Sequence, residues 1–138
     1  MIADYKELRS GNSLLTSLGA IATVTWGVIR DVEYGDGYYL PIPLSEKRLI
    51  QLGFEKNQNY REILMDGYVK NIDEMTALFI HHTPEEIKVA IVRFYDKLWG
   101  QDPVVFWFDK PNIKYVHHLQ NFYFWVTENK ELKLNICL

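Results

Sequence analysis

The sequence predicts an α+β domain, on three observations. β-branched and aromatic residues punctuated by glycine fill residues 13–43, the composition of short strands joined by close turns. Thr83-Pro84-Glu85-Glu86 carries the hydroxyl, proline and carboxylate of a helix capping box. Val116, Leu119, Tyr123 and Val126 recur at spacings of three, four and three, the seam of an amphipathic helix.

Taken in order, Ala3 to Leu8 reads as a single helical turn ended by Ser10-Gly11-Asn12. Leu14 to Thr16, Ala20 to Trp26, Val28 to Tyr34 and Tyr38 to Leu40 read as strands, with Gly35-Asp36-Gly37 as a hairpin turn because these residues tolerate positive φ. Such closely spaced strands imply a strongly bent antiparallel sheet or a small SH3-like barrel. Ser45 offers an N-cap hydroxyl, Glu46 a first-turn charge, Leu44 a staple onto Leu49, and Gly53 a left-handed stop. A short helix over Glu46 to Leu52 follows, with Leu49, Ile50 and Leu52 facing the core.

Tyr60 to Met65 and Tyr68 to Ile72 flank Asp66-Gly67, a second hairpin signal. From the capping box a helix over about 84–99 is expected, with Ile87, Ala90, Ile91, Phe94, Tyr95 and Leu98 on one stripe. Val89, Val92 and Trp99 fall off that stripe, which implies burial on several sides or an apolar face offered to a partner. A strand through Lys88 to Tyr95 is the rival reading, because Val and Ile dominate there. Val104 to Phe108 reads as a strand, and Asn112 to Thr127 as the main helix, widened by Tyr115, Phe122, Phe124 and Trp125. Leu132 to Leu138 alternates like a final strand. A single domain over 1–138 is expected, with a bent sheet or barrel plus short helix over 1–54 and an α+β portion over 55–138.

Composition narrows the function classes. Fifteen Lys and Arg against eighteen Asp and Glu leave a net charge of −3, the opposite of the footprint that neutralises phosphates, so nucleic-acid binding is disfavoured. Cys137 is the single cysteine, which excludes an internal disulfide and a multi-cysteine zinc site and fits a reducing compartment. Met1 to Arg9 mixes acidic and basic residues without an apolar run, and no apolar stretch approaches the ~20 residues of a membrane span. A cytoplasmic location is the expectation. Aromatic residues make up 14% of the chain, more than a core of this size needs, which suggests a partner surface.

His81-His82 and His117-His118 are the most metal-like features. Neighbouring side chains diverge on a helix or strand, so a site would need one histidine from each pair and an acid such as Glu85. No metal and no cofactor is expected. Lys114, His117, Gln120 and Asn121 form a polar edge of the main helix. They either bind a ligand or partner or, as the apolar company suggests, satisfy neighbouring backbone groups. There is no nucleophile elbow, phosphate loop or dinucleotide fingerprint, and pairing His117 with Asp109 or Glu128 is unspecific, so no catalytic residue is assigned and an enzyme is not expected. Trp26, Trp99, Trp107 and Trp125 lack the interleaved basic residues of a base-stacking platform and suit a core or an interface.

The run Ile113-Lys114-Tyr115-Val116-His117-His118-Leu119-Gln120-Asn121-Phe122-Tyr123-Phe124 resembles a C-terminal signature, I-K-Y-V-H-x-L-Q-N-x-Y-F, of small uncharacterised proteins of Bacteroidetes-type phages and integrated mobile elements. Leu8-Arg9-x-Gly11-Asn12, and Ile42-Pro43-Leu44 followed by Leu49, Gly53 and Phe54, are similar as well. The chain departs from that pattern at His118, at Trp125-Val126 and at Asn129 to Leu132, and the segment at about 79–107 looks like an addition. The resemblance implies a phage or mobile-element context and no defined chemistry. The expectation is a non-enzymatic binding protein of the host-cell cytoplasm, a homo-oligomer that interferes with a host protein, with Tyr115, Lys114, His117, Gln120, Asn121, Trp99 and Arg9 as partner contacts. Alternatives are a nucleotide-sequestering protein, with Arg9, Lys114, His117 and Tyr115 around a small nucleotide-like ligand, and a structural virion component.

Overall fold

The computed structural model describes residues 3–35, 38–57, 66–94, 103–109 and 111–137. Its architecture is α+β, with a three-stranded and a five-stranded antiparallel sheet and three α-helices among the described residues. The chain divides into two compact units. The first joins residues 1–44 to 113–137, and the second comprises Ser45–Asn112.

The first unit opens with a 3-10 turn, Tyr5–Glu7, capped by the Asp4 carboxylate, which accepts the Lys6 amide at 3.1 Å. Strand β1 (Ser13–Thr16) lies between β2 (Ile21–Thr23) and β3 (Tyr39–Leu40). Gly19, at φ 83°, supplies the left-handed turn that brings the chain back from β1 to β2. Ala3, Leu14 and Val24 form a small core, onto which Leu8, Val28, Ile29 and Tyr39 pack.

The expectations for residues 28–35 are corrected in this unit. Residues 28–34 are not a strand but belong to helix α1 (Trp26–Tyr34), capped by Thr25, whose hydroxyl accepts the Val28 amide, and closed by Gly35 at φ 73°. The apolar residues explain the choice: Val28, Ile29 and Val32 share a helical face, whereas a strand would alternate them imperfectly. Gly35 is thus a helix C-cap; Asp36 and Gly37 of the expected hairpin lie outside the described residues. With α1 replacing a strand, β1, β2 and β3 form an open three-stranded sheet and not a closed barrel.

Helix α3 (Val116–Val126) is shorter than the Asn112 to Thr127 expected. The residues before it are extended because their backbone pairs with residues 42–44: Leu44 N–H donates to Lys114 O, Val116 N–H donates to Ile42 O, and Pro43 bridges Tyr115. Val116, Leu119 and Tyr123 of the seam are buried and Val126 is half-buried. After α3, Leu132 is buried, but 132–137 form no strand. The Leu132 carbonyl, which a ladder would use, instead accepts the Gln120 side-chain amide at 2.9 Å.

In the second unit, helix α2 (Glu46–Gln51) is capped by Ser45, whose hydroxyl accepts the Arg48 amide, and Gly53 follows at φ 91°. Leu49 and Leu52 are buried as expected; Ile50 is 48% exposed, because it lies on the outer face of this short helix. The sheet runs β4 (Glu55–Lys56), β5 (Tyr68–Asn71), β6 (Thr76–His82), β7 (Ile87–Arg93) and β8 (Val104–Trp107), each paired with the next. Asp66-Gly67 leads into β5; the partner expected at Tyr60 to Met65 lies outside the described residues.

The capping box does not start a helix. Glu86 N–H donates to the Thr83 hydroxyl at 3.1 Å and Thr83 N–H to the Glu86 carbonyl at 2.9 Å, so the same motif closes the β6–β7 hairpin. Residues 87–93 take the rival strand reading. Ala77, Phe79, Ala90, Val92 and Phe94 form a core on one face, while Leu78, Ile80 and Val89, offset by one residue, are buried on the other. A strand buried on both faces reads as a continuous apolar run, which hides its period of two.

Candidate functional site

The 3-10 turn places Glu7 beside the first turn of α3. Glu7 Oε2 lies 3.1 Å from His117 Nε2 and 2.8 Å from His118 Nε2. Lys114 N–H donates to His118 Nδ1 at 3.1 Å, so neutral His118 carries its proton on Nε2 and donates it to the carboxylate. His117 must donate likewise, since an ionised carboxylate only accepts. The two ring centroids are 4.4 Å apart, and the Tyr115 ring stacks on His117 at 5.7 Å with an interplanar angle of 6°. Successive helical side chains, about 100° apart at their Cα atoms, therefore converge here on one oxygen.

His117 is 1% exposed. Burial holds its pKa below the ordinary 6.5, against an opposing pull from Glu7. The His118 hydrogen bond, with help from His117, holds the Glu7 carboxyl below its usual 4.5 despite some desolvation. Both directions favour an ionised Glu7 carboxylate beside a neutral His117 imidazole. His117 Nδ1 is buried and has no hydrogen-bond partner among the described residues, an arrangement that asks for an explanation.

Next along α3, Gln120 is fully buried: its Oε1 accepts the Ser13 amide at 2.8 Å, and its Nε2 donates to Ser13 Oγ at 3.1 Å and to Leu132 O. Asn121 Nδ2 donates to the Glu7 carbonyl at 2.7 Å, and its Oδ1 accepts from Asn12 Nδ2 at 2.8 Å and Arg9 Nε at 3.3 Å. Arg9 makes a forked pair with Glu131 at 2.8 and 3.2 Å and lies over the Phe124 ring at 3.8 Å. Arg9 and Asn12 of the opening segment are thus clasped by the C-terminal run. Lys114 is exposed, and Trp99 lies outside the described residues.

Residue identity pointed to His117, Gln120 and Asn121. Glu7 gave no local signal, because its partners lie about 110 positions away and only the fold joins them. The carboxylate beside His117 belongs to Glu7 and not to Asp109 or Glu128. His81, in the second unit, donates Nδ1–H to the Asp66 carbonyl at 2.6 Å.

The outer surface is aromatic. Trp125 on α3 is 86% exposed and Trp26, at the start of α1, 78%. Tyr34 and Tyr38 of the same unit are exposed too, as are Phe106 and Trp107 on β8. In the stretch from Glu85, where unpartnered apolar surface was expected, Val89, Ala90, Val92 and Phe94 are buried instead; that expectation came from the helix reading.

Comparison with protein-family models, with curated proteins and with solved structures finds no match to this chain. No helix among the described residues is long and apolar enough to cross a membrane.

Proposed function

We propose that this chain is a non-enzymatic protein of phage or mobile-element origin that acts by binding, as a homo-oligomer and against a host protein. The observation that carries this reading is the placement of polar and aromatic groups on α3. Gln120, Asn121 and His117 are spent on internal hydrogen bonds, while the Trp125 indole projects into water. An exposed tryptophan loses hydrophobic stabilisation that a partner surface would restore, and Trp is the residue type most enriched at binding hot spots. The nucleotide-sequestering alternative has less support, since Glu131 already occupies the Arg9 guanidinium that a phosphate would need. Nothing specific favours a virion component.

Sedimentation velocity at high micromolar concentration tests the oligomeric part. The wild type should sediment as a dimer or larger, and Trp26→Ser/Trp125→Ser as a monomer with an unchanged far-UV circular dichroism spectrum. A monomeric wild type overturns it.

A further inference from the structure

We propose that Glu7, His117 and His118 form a binding site for a divalent transition-metal ion, with zinc as the best-fitting occupant. One donor atom from each of the three side chains lies within 4.8 Å of the other two. Two imidazoles and a carboxylate are a donor set of borderline softness, suited to zinc, cobalt or nickel and not to calcium or magnesium. Zinc bonds of about 2.0–2.1 Å in a tetrahedron put neighbouring donors ~3.3 Å apart. The two nitrogen–oxygen distances, 3.1 and 2.8 Å, are within a few tenths of an ångström of that spacing, and the two nitrogens lie within 4.8 Å of each other.

The His117 ring, 1% exposed, is held with Nε2 aimed at the shared oxygen. The Tyr115 ring against His117 fixes that aim. On the other side Glu7 is partly exposed, giving an ion access and leaving a fourth coordination position to water. The site lies in the first unit alone and does not depend on the binding role proposed above.

Ligation replaces the Nε2 protons. Each imidazole stays neutral by carrying its proton on Nδ1 instead, so His118 Nδ1 ceases to accept from the Lys114 amide and that amide must turn to water. This gives the site a signature separate from affinity. Metal-free full-length protein, prepared with EDTA and desalted, should bind one zinc ion per chain in a calorimetric titration with ZnCl2. The Lys114 amide and the ring resonances of His117 and His118 should shift together in NMR spectra. Glu7→Gln and His118→Ala, both at sites reached by solvent and checked by circular dichroism, should each weaken binding by at least about tenfold. No stoichiometric binding overturns the proposal. So does binding that either variant leaves unchanged, or binding that moves the His81 and His82 resonances in place of these.

Discussion

In the unit of residues 45–112, β6 and β7 align seven residue pairs from Thr76↔Arg93 to His82↔Ile87, and the core between them and their neighbours is alanine, valine and phenylalanine. In the unit of residues 1–44 and 113–137, the fully buried interior of α3 includes a glutamine, and the strands it meets are three or four residues long or shorter. The first arrangement is assembled by hairpins between near neighbours in sequence. The second joins segments more than 100 residues apart through side-chain hydrogen bonds such as Gln120 to Ser13 and Asn121 to Glu7. Apolar burial tolerates imperfect geometry, but a buried amide stabilises only when its partners are in place. The discontinuous unit therefore carries its specificity in polar groups, and the contiguous one in shape.

The contrast breaks most visibly in the apolar unit. Phe79 is fully buried and meets the Trp107 ring edge-on at 5.8 Å. Phe79→Ala should cost about 3–5 kcal/mol, the range for removing a buried ring, read as a lowered midpoint in urea. A loss below about 1 kcal/mol would mean that the sheet does not rely on that core.

A smaller effect sharpens the polar side. Buried His117 resists protonation in the native state, whereas in the unfolded chain it titrates near 6.5. The unfolded state thus binds more protons below that pH, and stability falls as pH drops through it. Glu7, its pKa lowered from 4.5, stabilises the fold above its unfolded value and loses that contribution at still lower pH. Each unit by which the His117 value is depressed is worth ~1.4 kcal/mol. In metal-free protein the His117 ring resonance should titrate below 6.5 when followed by NMR. Titration at or above that value would remove the neutral imidazole from the account.

Much of the fold was legible in the sequence where a local signal and the tertiary environment agreed. Ser45 and Gly53 delimit α2, and Val116, Leu119 and Tyr123 turn inward, because caps and helical stripes are local physics. The signal at Thr83 to Glu86 was real but ambiguous: a hydroxyl three residues before an amide closes a hairpin as readily as it starts a helix. Only the pairing of Ile87 to Arg93 with β6 decides between them. Val28 to Tyr34 failed in the opposite direction, since three β-branched residues suggested a strand while their spacing suited a helix face. Of the candidate site, the histidines were visible by type. Their convergence was not, because it needs Glu7, and no pattern in a sequence links position 7 to positions 117 and 118.

The central claim is that α3 turns its amides inward as structure and its indole outward as surface. Chemical denaturation of Gln120→Ala and Trp125→Ser, followed side by side with wild type by far-UV circular dichroism, tests it most directly. Gln120→Ala should lose about 2–4 kcal/mol, since it strands the Ser13 amide and the Leu132 carbonyl without partners, and Trp125→Ser should stay within about 0.5 kcal/mol of wild type. Equal losses, or a larger loss for Trp125→Ser, would contradict the account.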